Sequence, residues 1–131
     1  MRLAGMPFSK LIENNIRNAC YHPDSAPKLQ MYACHDSSIV LLLSMFNCFN
    51  HHWPPYSANI RLELYEAPGC PDRYWMKILY CNKAVVVRGL NSDEYPYICM
   101  DMFYELLKRY NVSSIAEYFK LSGCNMYKRE F

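Results

Sequence analysis

The sequence predicts an α/β fold, a sheet covered by helices, and it predicts that the sheet is incomplete within these 131 residues. Three observations carry this. Hydrophobic spacing orders the chain as helix, strand, helix, strand, strand, strand, helix, helix, the layout of a sheet with helices laid on it. The three consecutive strands are joined by short turns, as in an antiparallel meander. Two elements lack a neighbour: the stretch around Ile39–Phe46 is apolar nearly all round and wants cover on every side, and the strand expected over 28–33 has no sequential partner. The length suffices for one domain with one core. An apolar content of 52% with 15% aromatic residues excludes a disordered chain.

Residues 6–20 read as a helix because Phe8, Leu11, Ile12, Ile16 and Ala19 recur at helical spacing, with Ser9 as its N-cap. Tyr21–Pro27 holds two prolines, an Asp and a Ser and reads as a loop. Over 28–33, Leu29, Met31 and Ala33 alternate with Gln30 and Tyr32, the pattern of a short strand. A helix follows from Ser37 to about Phe46, and Asp36, Ser37 or Ser38 can each cap it. The prolines of His51-His52-Trp53-Pro54-Pro55 close a loop that no helix can enter.

Ala58–Glu66 alternates cleanly, with Ile60, Leu62 and Leu64 on one face and Arg61, Glu63 and Tyr65 on the other, so one side of this strand is wet. Pro-Gly and Pro-Asp chemistry turns the chain over 67–72. Arg73–Cys81 is the next strand, with Tyr74, Met76, Ile78 and Tyr80 on one face. Asn82-Lys83 makes a tight turn into a short β-branched strand over Ala84–Val87. Residues 98–109 return to helical spacing through Met102, Phe103, Leu106 and Leu107, with Asp101 and Glu105 early and Lys108 and Arg109 late, as the helix dipole favours. Ser113 or Ser114 caps a last short helix that Ser122-Gly123 stops.

Charge and composition narrow the function. A formal net charge of +2 with singly scattered Lys and Arg, densest at Lys128-Arg129, gives no basic stripe, so no nucleic-acid partner is expected. No transmembrane segment is expected either: Ile39–Phe46 falls far short of the ~20 apolar residues a spanning helix needs. Arg2, Lys10, Glu13 and Arg17 interrupt any signal-peptide core. Seven cysteines leave at least one unpaired within the chain, and none forms a CxxC. Cys34, His35, Cys48, His51 and His52 lack zinc-finger spacing, and Cys48 reads as part of the apolar helical pattern. They are therefore taken as core and loop residues, and no metal or other cofactor is expected. His51 and His52 read as solvent-facing, Arg61 and Glu63 as a plain exposed face, and Trp53 and Trp75 as packing residues.

The chemistry centres on His35-Asp36. A loop between the carboxyl end of a strand and a helix N-terminus is a natural anion site, because free backbone N–H groups point outward and the dipole favours negative charge. A His there can donate to a phosphate oxygen, and an Asp can act as a general acid. On spacing alone the blander reading is stronger, a capping Asp beside a bystander His.

The surroundings shift that balance. Tyr32-Ala33-Cys34-His35-Asp36-Ser37-Ser38 with the apolar helix after it resembles the carboxy-terminal active-site segment of histidine acid phosphatases. The resemblance continues through Trp53-Pro54-Pro55-Tyr56, Arg61-Leu62-Glu63-Leu64-Tyr65, Val87-Arg88-Gly89 and Asp101-Met102-Phe103, and it covers roughly Gly5 to Cys124. The Ala-Cys-His-Asp and His-His-Trp-Pro-Pro stretches are most similar to the lysophosphatidic acid phosphatase branch. The resemblance implies that residues 1–131 are the carboxy-terminal portion of a single histidine acid phosphatase domain, part of a histidine-phosphatase-like sheet flanked by helices. It implies phosphomonoester hydrolysis through a phosphohistidine, with a lysophospholipid as one candidate substrate. Carried onto this chain, His35 is the phosphate clamp and Asp36 the proton donor.

The family's nucleophile lies in an Arg-His-Gly segment. None of His22, His35, His51 and His52 is preceded by Arg or followed by Gly, so that segment has no counterpart here. The resemblance thus implies a missing amino-terminal portion, with Met1 an internal methionine or an aberrant start. It implies a chain that alone folds poorly and has no significant phosphatase activity. The alternative is a catalytically dead remnant that serves as an interaction module. The family's small disulfide after Arg-Gly is expected to be lost, since Leu90 stands at one position while Cys99 remains. Cys124 matches a cysteine whose partner lies in the absent portion. Family members are secreted, lysosomal or mitochondrial, and the targeting end is absent, so the compartment stays open. Asn111-Val112-Ser113 is a glycosylation sequon.

Overall fold

A computed structural model describes residues 2–110 and Glu117. The expected last helix, the sequon at Asn111, Cys124, Lys128 and Arg129 lie outside the described residues. Within them the fold is mixed α/β, as expected: three helices and a four-stranded antiparallel sheet.

Helix α1 runs Arg2–Tyr21, starting upstream of the expected position with Pro7 inside it. Ser9 is therefore an interior residue and not the N-cap. Its side chain is fully buried, and its hydroxyl donates to the Leu107 carbonyl at 2.9 Å, tying α1 to helix α3 (Met100–Lys108). Ile16 is buried, with Ile12 and Cys20 packed on the same core. The outer side carries the Arg17–Glu13 ion pair at 2.9 Å, with the Arg17 guanidinium 4.6 Å from the Tyr104 ring centre. Gly5 permits a close crossing: a Cβ there would lie 2.9 Å from Met45 Sδ and 3.0 Å from Tyr110 Cδ1.

Residues 28–33 form neither helix nor strand and join no ladder among the described residues, which corrects the expected strand. Leu29, Met31 and Tyr32 are exposed at 74%, 85% and 56%. Alternation gives a segment the propensity for a strand, but a strand exists only where a neighbour takes its backbone hydrogen bonds. Helix α2 then spans Asp36–Met45 and ends in buried Leu43, Met45 and Phe46. Cys48 lies beyond this helix and not inside it.

Strand β1 (Ile60–Ala67) pairs with β2 (Cys70–Tyr80) from Ile60↔Tyr80 to Glu66↔Tyr74, with a register shift between Glu66 and Ala67. The connecting turn uses Gly69 at φ +75°. The tight turn after β2 is Cys81-Asn82, at φ +48° and +68°. Lys83 already belongs to β3 (Lys83–Ala84), which is shorter than the expected strand. Strand β4 (Tyr97–Cys99) was not foreseen. It adds to the edge of β2 that β3 also uses, through Trp75↔Cys99, Met76↔Ile98 and Lys77↔Tyr97. The expected helix thus loses its first two residues to the sheet and begins at Met100.

One face of the sheet carries the core. Met76, Ile78 and Ile98 meet Phe103, Leu106 and Leu107 of α3, and Phe46 packs on Phe103 with ring centres 5.8 Å apart. Met102 was expected on this face but is 42% exposed, and Met100 takes the buried position instead. The other face carries Tyr65, Trp75, Tyr95 and Tyr97 in edge-on contacts of 5.3–6.1 Å. Among the described residues Cys20, Cys34, Cys48, Cys81 and Cys99 are free thiols.

Candidate active site

The first turn of α2 sets the site. His35 is the residue before the helix, extended at φ −98° and ψ 163°, with no side-chain cap bond. Its carbonyl accepts from Ser38 N at 3.0 Å and Ile39 N at 3.3 Å, which begins the helix. Asp36 is the first helical residue. None of Asp36, Ser37 and Ser38 therefore holds the boundary position considered for the cap. Asp36 Oδ1 accepts from Ser37 N at 2.7 Å. A carboxylate in the first turn also suits the positive end of the helix dipole.

The second wall is the loop over 50–58. Asn50 Oδ1 accepts from His52 N at 3.1 Å, and the Pro55 carbonyl accepts from Ala58 N at 3.2 Å. His51 and Ser57 take left-handed backbone at φ +62° and +60°. Pro54 is buried and pins the loop. Trp53 is 65% exposed, yet its indole Nε1–H donates to Asp36 Oδ2 at 3.0 Å. Both carboxylate oxygens of Asp36 are thus held, one by its own helix and one by the loop. Trp53, read as a packing residue, is a polar contact instead. Sequence spacing carries no signal for a bond across 17 positions.

Between the walls lies an open cavity of about 610 Å³, lined by Cys34, His35, Asp36 and Ile39 on one side and by residues 53–58 on the other. His35 and Asp36 are both exposed to it. Its lining is otherwise largely apolar and, among the described residues, contains no Arg or Lys. Such a cavity can offer an anion an imidazole, and a leaving oxygen a carboxyl proton.

The other residues weighed from sequence lie elsewhere. His51 and His52 are exposed and do not line the cavity; His51 packs on Phe49 with ring centres 5.2 Å apart. Arg61 pairs with Glu63 at 2.8 Å on the outer sheet face. The Tyr65 hydroxyl donates to Glu63 and, with the charges of Arg61 and Lys77, holds the Glu63 carboxyl below its usual range. Among the described residues no group of three or more His, Cys, Asp or Glu could hold a metal, and no helix is long and apolar enough to cross a membrane.

No protein-family model matches the chain. Similarity to curated acid phosphatases nevertheless extends over most of the chain. Among the proteins it resembles are lysophosphatidic acid phosphatases type 6. It is 30% identical to that of Homo sapiens over 116 residues, 86% of this chain, and 27% identical to that of Mus musculus over 117 residues. A stretch of 39 residues is 33% identical to a probable acid phosphatase of Schizosaccharomyces pombe, covering 30% of this chain and 8% of that protein. The chain spans about a quarter (26%) of the length of the human relative.

Proposed function

We propose that the chain supplies half of a phosphomonoesterase site, in which His35 clamps the phosphate and Asp36 protonates the leaving alcohol. Residues 1–131 are then the carboxy-terminal portion of one histidine acid phosphatase domain. The observation that carries the reading is the His35-Asp36 junction at the start of α2, facing the Trp53–Pro55 loop across an open cavity.

In the first step a histidine nucleophile from outside this chain attacks phosphorus. The P–N bond forms as the P–O bond to the alcohol breaks, and the Asp36 proton goes to the departing oxygen. Water then cleaves the phosphohistidine, and the Asp36 carboxylate accepts its proton. His35 donates to a non-bridging oxygen and offsets the charge that builds there. A phosphate dianion needs more cationic partners than one imidazole. Among the described residues the cavity lining has no other, so the nucleophile-bearing portion supplies the remaining clamp in this reading. The relatives' names and the apolar lining (Ile39, Pro54, Pro55 and Tyr56) favour a lysophospholipid as the ester.

The test is complementation. The 131-residue chain alone gives no hydrolysis of p-nitrophenyl phosphate or lysophosphatidic acid at acid pH. Co-expressed with the unmatched remainder of the human relative, it gives activity that His35→Ala or Asp36→Ala removes. Hydrolysis by the chain alone, abolished by His35→Ala, would overturn the reading.

A second reading is a non-catalytic interaction module. It is favoured by the exposed apolar side chains of Leu29, Met31 and Tyr32. Failure of complementation together with a stably folded chain selects it.

A further inference from the structure

We infer that Trp53 is a positioning residue for Asp36: its indole N–H fixes the carboxyl so that the acidic proton faces the leaving oxygen in the cavity. The inference rests on the reading of Asp36 as the proton donor.

The geometry is specific. The Asp36 carboxyl has two oxygens, and both already accept a hydrogen bond. Oδ1 takes Ser37 N–H at 2.7 Å and Oδ2 takes Trp53 Nε1–H at 3.0 Å. Two donors from different elements fix the plane of the group, which one donor would leave free to rotate about its side-chain bonds. Each oxygen keeps a second lone pair, and a proton carried there lies on the side the two donors do not occupy. Asp36 and Trp53 both line the cavity and Asp36 is exposed, so the carboxyl is within reach of an ester bound there. Trp53 is also 65% exposed, more than a residue retained for apolar packing. Pro54, buried directly after it, anchors the loop, so the indole is delivered from a fixed backbone. An indole suits this task because it donates one hydrogen bond and accepts none, and so cannot take the proton itself.

A general acid matters in proportion to how poorly the alcohol leaves. Nitrophenolate departs without a proton, whereas an alkoxide does not. Trp53→Phe keeps the ring and deletes the N–H. In the complemented phosphatase it should lower kcat/KM on an alkyl phosphate by about tenfold or more, a fraction of the whole general-acid effect. The kcat/KM on p-nitrophenyl phosphate, which reports the first step and not the hydrolysis that follows, should stay within about twofold. Trp53→His, which restores an N–H donor, should recover part of the loss. Equal losses on both substrates would mean a merely structural role and would overturn the inference.

Asp36→Asn separates this from the parent reading. If Asp36→Asn shows no leaving-group dependence, the proton-donor role itself fails. If Asp36→Asn shows it and Trp53→Phe does not, only the positioning role fails. The hydrogen bond has its own readout in the 131-residue chain without any activity. Asp36→Ala should shift the Trp53 indole N–H resonance and speed its exchange with water, leaving Trp75 unchanged. In a sample shown to be folded by a dispersed Trp75 indole resonance, the chain alone or its complex with the complementing portion, a Trp53 resonance indifferent to Asp36→Ala would overturn the inference.

Discussion

Trp53 donates its indole N–H to Oδ2 of Asp36 at 3.0 Å, joining the 50–58 loop to the first turn of α2. The contact bears on what Asp36 is for. An N-capping Asp stands before the helix and reaches the N–H groups two or three residues on. Asp36 stands inside the helix and reaches only Ser37 N, while His35 holds the boundary position with no side-chain bond. The carboxyl is shared between the first turn of its own helix and the loop, and it lines the cavity. The capping explanation, the stronger one from spacing alone, does not describe its geometry.

Ser9→Ala tests the α1–α3 contact. The Ser9 hydroxyl is fully buried and donates to Leu107 O, which also accepts from Tyr110 N at 3.0 Å. Its loss leaves that carbonyl one partner, so the cost should sit near the middle of the usual range, about 1 kcal/mol. Urea unfolding should show a lower midpoint with an unchanged slope.

How much was legible follows the length of each pattern. β1 and β2 run eight and eleven residues, long enough for alternation to fix both existence and facing, and Ile60, Leu62, Met76 and Ile78 fall where expected. β4 has three residues and no periodicity to read; it exists because the edge of β2 was open beside it. Residues 28–33 show the opposite failure, a strand pattern with no neighbour among the described residues to pair with. At the site, residue types and their order led to His35-Asp36. The Trp53 contact depends on where a loop folds back, which local chemistry does not encode.

Asn91→Ala tests a second loop contact hidden from sequence. The Asn91 amide donates to Val85 O at 3.1 Å and Pro96 O at 3.0 Å, and its oxygen accepts from Val87 N at 2.6 Å. These bonds hold together the connection from β3 to β4. Removing the partner of three half-buried groups should cost about 2–3 kcal/mol. Asn91→Asp keeps the acceptor for Val87 but turns a carboxylate oxygen toward two carbonyls. It should therefore destabilise at pH 7 and recover as the introduced carboxyl protonates near pH 4. Urea midpoints of the two variants at both pH values check this.

The β2–β3 hairpin offers a stabilising change. Cys81 and Asn82 both occupy left-handed backbone, φ +48° and +68°, between the paired residues Tyr80 and Lys83. Two-residue hairpin turns with both central φ positive favour Asn-Gly. Cys81→Asn with Asn82→Gly should raise stability by about 0.5–1 kcal/mol and lift the thermal midpoint. Asn82→Val, a β-branched residue forced to positive φ, should lower it.

Cys48 should be the inert thiol of the site's scaffold and Cys34 the reactive one. Cys48 is half-buried beyond the end of α2 with its thiol against Leu43 O at 3.5 Å, and burial pushes its pKa up from 9.0 to about 11. At pH 7.5 the thiolate is then only about one in 3,000, and the thiolate is what alkylates. Cys34 is exposed on the cavity wall. Iodoacetamide should modify Cys34 in the native chain and reach Cys48 only in urea, which peptide mass mapping reads directly. The same shift makes a pH prediction. Because the folded-state pKa lies above the unfolded one, the folded state holds the proton more tightly. The contribution of Cys48 to stability is complete below about pH 9 and is lost as pH rises toward 11. Lysines and tyrosines titrate in that window too, so the comparison is between wild type and Cys48→Ala. The stability gap between them should narrow from pH 8 to pH 11, and a gap that stays constant would mean that Cys48 titrates as a free thiol.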